Sequence, residues 1–235
     1  MSARSLGDIA QSRSQALLVG PCVLVLLLSA VSVLAGCVVT EEKIKKANGY
    51  YQEGLSTLDR DRQKAFVSFQ KAIQMNPQHK EAHYALGHIY ASQEKYKQAE
   101  RELREVLRID PDYSEAHTHL GLVLIQQDRW DEAIRSFHRA LENPLYATPD
   151  LARFHLGRAL AHEGDMKGAT EAFEDALLVN PPNVPPAAVN FELGRAYYRL
   201  GYDTKAREVL TRVTSLDKGG AYAAEAGKLL ERLKP

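Results

Sequence analysis

KEAHYALGHIYASQEKYKQAERELREVLRIDPDY, residues 80–113, is the stretch from which the fold is read. Leu86, Gly87 and Tyr90 fall on a first helix, Tyr96 and Ala99 open a second, and Pro111, which cannot continue a helix, closes it. The spacing returns downstream as Leu120, Gly121, Trp130, Ala133, Phe137 and Ala140, with Pro144 as the stop. It returns again as Leu156, Gly157, Ala169, Phe173, Ala176 and Pro181. A further unit holds Leu193, Gly194, Tyr197 and Ala206, with Leu210 where earlier units have Phe. Upstream, Tyr50, Gly54, Ala65, Phe69, Ala72 and Pro77 make a first unit, one residue shorter between its Gly and Ala. Self-similarity at a period of roughly 34 residues means repeated helical hairpins that stack into an array.

These residues resemble the tetratricopeptide repeat pattern, and the likeness spans residues 46–217. The pattern has a packing reason. Gly87 and Ala99 remove bulk where the two helices of a hairpin cross, as do the pairs Gly54 and Ala65, Gly121 and Ala133, Gly157 and Ala169, and Gly194 and Ala206. Each hairpin leaves an apolar face that its neighbour covers, so one continuous core and capped ends are expected. The all-α fold is thus an array of about five hairpins, near residues 47–79, 80–113, 114–149, 150–186 and 187–218 within 43–218. Residues 219–235 form a capping helix that turns Ala224, Leu229, Leu230 and Leu233 toward the array. Residues 143–149 and 181–186 exceed a usual inter-repeat turn and are expected to bulge from one edge.

The beginning of the chain follows different rules. Residues 15–40 carry no charge, and Arg4 and Arg13 lie just upstream, which is the layout of an export signal. The uncharged run contains Leu34-Ala35-Gly36-Cys37, which resembles the lipobox of bacterial lipoproteins. The resemblance implies cleavage after Gly36, removal of residues 1–36, lipidation of the Cys37 thiol and a tether of residues 37–42. Val38, in place of the Asp that retains enterobacterial lipoproteins in the inner membrane, implies outer-membrane delivery facing the periplasm. The alternative is an uncleaved transmembrane helix, since residues 16–36 are about as long as the ~20 residues a bilayer requires. Cys22 lies inside the removed segment, so the mature domain keeps no thiol for a disulfide, and packing must hold it together.

Arrays of this family present the first helix of each hairpin along a groove, and the resemblance implies that residues just after the repeat Gly, and four before those, face into it. Here these are Tyr51, Leu55, Tyr84, His88, Thr118, Leu122, Phe154, Arg158, Phe191 and Arg195, with Gln126, His162, Tyr198 and Arg199 a turn further on. Such a surface holds a partner segment by burying anchors against Tyr and Phe while arginines engage carboxylate or carbonyl oxygens. The competing reading packs the aromatics between repeats and pairs the arginines with Glu. The Lys and Asn set by which chaperone-binding members clamp a terminal carboxylate is missing, which argues against a chaperone tail.

Other chemistries find little support. With 30 Lys and Arg against 30 Asp and Glu, charge indicates no nucleic-acid partner. His79 and His83 are four apart but lack the H-E-x-x-H arrangement and a third ligand, so no metal or cofactor is expected, and His83 and His117 read as surface residues. No nucleophile elbow, phosphate loop or carboxylate pair stands out, so a non-enzymatic chain with a solvated, ion-paired exterior is expected. The lipobox, short tether and repeats together are similar to the pilotin lipoproteins of type IV pili, as is the segment Glu142-Asn143-Pro144-Leu145-Tyr146. That resemblance implies a secretin subunit as protein partner and the membrane as anchor through the N-terminal lipid. The alternatives are an envelope adaptor for peptidoglycan enzymes or proteases and, remotely, a metal-dependent hydrolase using His79 or His83.

Overall fold

In the computed structural model, residues 39–233 are described, and they contain eleven helices. In chain order these are α1 (Glu41–Thr57), α2 (Arg62–Met75), α3 (Lys80–Ser92), α4 (Tyr96–Ile109), α5 (Ser114–Ile125), α6 (Trp130–Leu141), α7 (Pro149–Glu163), α8 (Met166–Leu177), α9 (Pro186–Arg199), α10 (Asp203–Leu216) and α11 (Ala221–Arg232). From α2 onward each helix packs on the next, and contacts also join first helices of successive hairpins, α3 to α5, α5 to α7 and α7 to α9. Residues 1–38, with Cys37, lie outside the described region. Among the described residues no helix is long and apolar enough to cross a membrane.

The hairpin crossing is built on a glycine facing a large side chain. A Cβ added at Gly121 would sit 2.5 Å from the Phe137 ring, at Gly157 2.6 Å from Phe173, and at Gly194 2.7 Å from Leu210. At Gly87 the same atom would meet Leu103 at 3.0 Å. Phe69, Phe137 and Phe173 are fully buried, as are Ala65, Ala99, Ala133, Ala169 and Ala206. The bulk removed at each glycine is therefore occupied by the second helix's Phe or Leu.

The buried residues form clusters in series. Phe69 with Leu86 and Ile89 makes one, Leu103, Phe137 and Leu156 anchor the next, and Phe173 with Leu193, Leu210 and Ala226 anchors a third. Leu160 packs against the last two and joins them. Ala226 in α11 and Leu233 just after it are buried, and Leu229 and Leu230 pack on the same core, so the expected face meets the array except at Ala224, which is exposed. The register follows from the start of α11 at Ala221, which places Ala226 on the side of Leu229 and Leu233.

The turns inside hairpins have a common constraint. Glu94, Asp128, Gly164 and Gly201 each lie seven residues after the repeat glycine, and all have positive φ (59°, 57°, 91° and 73°). Glycine adopts this conformation without penalty, Asp tolerates it, and Glu does so poorly. Glu94→Gly is therefore expected to raise stability by about 0.5–1 kcal/mol, read from the urea midpoint, with Asp128→Gly giving less.

The two long linkers do not simply bulge. Tyr146 is buried and shares a 2.8 Å hydrogen bond with Thr118. Val184 is likewise buried, and Asp150 holds that linker by accepting from the backbone N–H groups of Asn183 and Val184. The uniformly solvated acidic exterior is also corrected: Glu100, Glu102 and Asp150 are buried. Glu100 accepts from Gln127 (2.9 Å) and Arg129 (2.7 Å) of the following turn, tying consecutive hairpins together.

Candidate partner-binding groove

The first helices α1, α3 and α5 border two adjoining cavities. One, of about 690 Å³, is lined by Tyr51, Leu55, Arg62, Tyr84 and His88. The other, of about 410 Å³, is lined by His88, Tyr96, His119, Leu122 and Gln126. His88 lines both, so the two cavities meet at this side chain in the N-terminal half of the array and together form the recess considered below.

The side chains lining this recess are ordered by ring contacts. Tyr51 in α1 packs on Phe69 and on His79, at ring separations of 5.7 and 4.9 Å. Tyr84 stacks on His119 at 5.2 Å with an interplanar angle of 14°, and tilts against Tyr113. His88 is exposed with its ring 5.0 Å from His119, while Leu122 is half-buried and Gln126 exposed.

The C-terminal candidates make contacts within the array, with the three arginines exposed. Arg158 lies over the Phe154 ring at 5.8 Å, and Phe154 packs on Phe173. Arg195 lies over Phe191 at 5.7 Å and pairs with Glu192 at 2.9 Å, while Phe191 packs on Tyr222 of α11. Arg199 donates to the Ala161 carbonyl, and half-buried Tyr198 packs on the C-terminal core. His162 stacks on Trp130 at 3.7 Å. Thr118 is fully buried against Tyr146 and lies outside the recess. The cavities thus lie toward α1, α3 and α5, where the lining is aromatic and histidine-rich, while Arg158, Arg195 and Arg199 are exposed on the C-terminal first helices.

Two residues of this face escaped the sequence reading. His119 and His155 each lie two before a repeat glycine, on the side of the first helix that meets the preceding hairpin. Burial pushes both imidazoles down to about 4, with His88 adding to the effect at His119, and Arg158 and His119 at His155. The Tyr84 phenol is raised well above its ordinary value, chiefly by burial, then by Tyr113 and Glu115. At neutral pH the His119 ring of the recess is therefore uncharged, beside the aromatic wall formed by Tyr84.

The histidines carry a pH signature. Each is neutral when folded and titrates near 6.5 when unfolded, so the unfolded chain binds more protons below that value. Stability is expected to be intact above about pH 6.5 and to fall as pH drops toward 4, by about 1–2 kcal/mol per ring between pH 7 and 5. Urea midpoints at both pH values measure this. His155→Leu, which also removes a buried Nδ1 without a hydrogen-bond partner, should flatten the slope.

His83, expected at the surface, is buried between the Glu102 carboxylate (2.8 Å) and the Pro77 carbonyl (3.1 Å). His117 repeats part of this arrangement, donating to the Pro111 carbonyl at 2.8 Å, and is half-buried. Buried His79 accepts from the Ala82 N–H and caps α3. These histidines hold inter-repeat turns. Among the described residues no group of three or more His, Cys, Asp or Glu is placed to hold a metal ion.

Tetratricopeptide repeat family profiles match residues 57–118 and 91–144, 118–188 and 187–219. Among solved structures, PilF of Pseudomonas aeruginosa is 24% identical, covering 83% of this chain and 95% of its own, with a TM-score of 0.65. PilW, described as a widely conserved type IV pilus biogenesis factor, is 22% identical over 80% of this chain and 90% of its own, with a TM-score of 0.64. YrrB, described as a tetratricopeptide protein with an unusual peptide-binding site, is 26% identical over 79% and 90%, with a TM-score of 0.62. No curated protein sequence matches the chain significantly.

Proposed function

The chain belongs to the tetratricopeptide-repeat family, and on that premise we propose that it is a lipid-anchored scaffold that holds a protein segment and assists type IV pilus biogenesis, with an outer-membrane secretin subunit as partner. The observation that carries the binding reading is the recess shared through His88. An extended or helical segment places apolar anchors in the two cavities, against Tyr84 on one side and Leu122 on the other. The His88 imidazole and the Gln126 amide supply hydrogen bonds to its backbone. The shared fold with PilW, described as a pilus biogenesis factor, supports the cellular role. The lipobox ending at Cys37 supports anchoring at the outer membrane, facing the periplasm.

The test is capture of the acylated protein from native membranes, with identification of what co-purifies. His88→Ala/Gln126→Ala alters two exposed side chains and should leave the fold intact. A secretin retained by the wild type and by Arg158→Ala/Arg195→Ala, but weakened about tenfold or more by the His88/Gln126 variant, is the expected result. Capture of wall enzymes or proteases in place of a secretin would transfer the role to an envelope adaptor. Equal capture by all three proteins would remove the recess from the binding account.

A further inference from the structure

The two edges of the array differ in chemistry. The turns inside hairpins carry Asp59, Arg60, Glu94, Lys95, Asp128 and Arg129 on one edge. The inter-repeat turns on the opposite edge are mixed: 110–113 and 217–220 carry Asp110, Asp112, Asp217 and Lys218, whereas residues 143–148 and 178–185 contain no charged residue. They are also longer. Residues 76–79, 110–113 and 217–220 make turns of four, whereas 142–148 and 178–185 make turns of seven and eight. Each long turn carries an outward leucine, Leu145 at 88% and Leu178 at 81% exposure, and Leu216 follows at 51%.

The same edge holds the beginning of α1. Tyr51 contacts His79, which caps α3, so the front part of α1 lies beside an inter-repeat turn. Ala47 precedes Gly54 by seven residues, as Lys80 precedes Gly87, so residues 41–46 extend α1 past the position where α3 starts. That extension is about 9 Å at ~1.5 Å per residue. Cys37 is four residues before Glu41, a reach of at most about 14 Å.

We propose that the inter-repeat edge, led by Leu145 and Leu178, rests on a lipid surface. This rests on the reading of Cys37 as the acylated anchor. A chain tethered so closely to the bilayer at one end of this edge brings the rest of the edge within reach of the headgroups. A fluid surface accepts leucines at loop tips without a shaped pocket. Uncharged flanks let the tips enter the headgroup and acyl boundary, to a depth of about 5–10 Å. The recess, whose lining reaches Asp59 and Arg60 on the charged edge, stays open to a partner.

The acylated full-length protein, reconstituted in vesicles of phosphatidylethanolamine and phosphatidylglycerol, tests this. Leu145→Cys, Leu178→Cys and, on the charged edge, Gln93→Cys are labelled with a polarity-sensitive probe, since the mature chain has no other free thiol on this reading. Quenching by lipid-borne nitroxides is expected to be on the order of threefold greater at 145 and 178 than at 93. Acylated, vesicle-bound protein with equal quenching at all three positions overturns the inference and leaves the anchor standing. Protein without an acyl mass that stays in the supernatant overturns both. Probes that become shielded only when a secretin is added make the edge a protein-docking face and overturn the lipid assignment.

Discussion

Phe137→Ala is expected to lower the stability of the array by about 3–5 kcal/mol, read as a fall in the urea midpoint. The ring is fully buried at the crossing of α5 and α6, in the cluster that joins the second, third and fourth hairpins. Its removal leaves a void that the flanking helices can close only by changing their crossing. The approach of α5 depends on Gly121, and a methyl there would lie 2.5 Å from the ring. Gly121→Ala gains helix propensity of roughly 1 kcal/mol but overpacks the crossing, so a net loss of about 1–2 kcal/mol is expected. The second hairpin offers the comparison. At Gly87 the facing side chain is Leu103, 3.0 Å away and able to turn, so Gly87→Ala should be near neutral. Phe137→Leu in a Gly121→Ala background should then recover part of the loss, giving a favourable coupling energy in a double-mutant cycle. Independent costs would show that the glycine is retained for some reason other than the ring. A fall in m-value with the midpoint would mean that the array unfolds in sections.

The repeats were legible because their constraints are local. Gly87, Ala99 and Pro111 each act within one hairpin, at a fixed separation that survives translation along the chain. The recess was partly legible for the same reason: Tyr84, His88 and Leu122 follow from their offset to the repeat glycine. What escaped depends on how one hairpin is rotated onto the next. His119 meets His88 across that junction, and nothing in the spacing inside one repeat reports it. His83 reads as a polar helix residue until Glu102, nineteen positions away in α4, is placed against it. Arg195 was a different matter, since Glu192 stands three residues earlier on the same helix and the pair is visible at i, i+3. Helical spacing alone marks that pair, although half of the Arg195 side chain is exposed.

The linkers show the same dependence on non-local contacts, and Asp150 is where it is strongest. Its carboxylate is 1% exposed and accepts from the Asn183 N–H (2.5 Å), the Asn183 side-chain amide (2.9 Å) and the Val184 N–H (2.9 Å). One side chain in the first turn of α7 thus positions the linker that leads into α9. Burial raises this carboxyl, but the three donors outweigh it and hold it below the ordinary Asp range. Asp150→Ala leaves buried N–H groups without an acceptor and is expected to cost about 2–4 kcal/mol. Asp150→Asn keeps the shape and one acceptor, and should cost less. The charge has its own test. With the folded value depressed, the carboxylate's contribution is present above the unfolded value near 3.9 and is lost as pH falls through the folded one. The wild type should therefore lose stability more steeply than Asp150→Asn below about pH 4, a window lower than that of the two histidines. Hydrogen exchange adds a local reading, because the Val184 amide should lose protection in Asp150→Ala even under conditions where the array stays folded. Unchanged protection at Val184 would mean that the linker is held by the burial of Val184 itself, with the carboxylate a bystander.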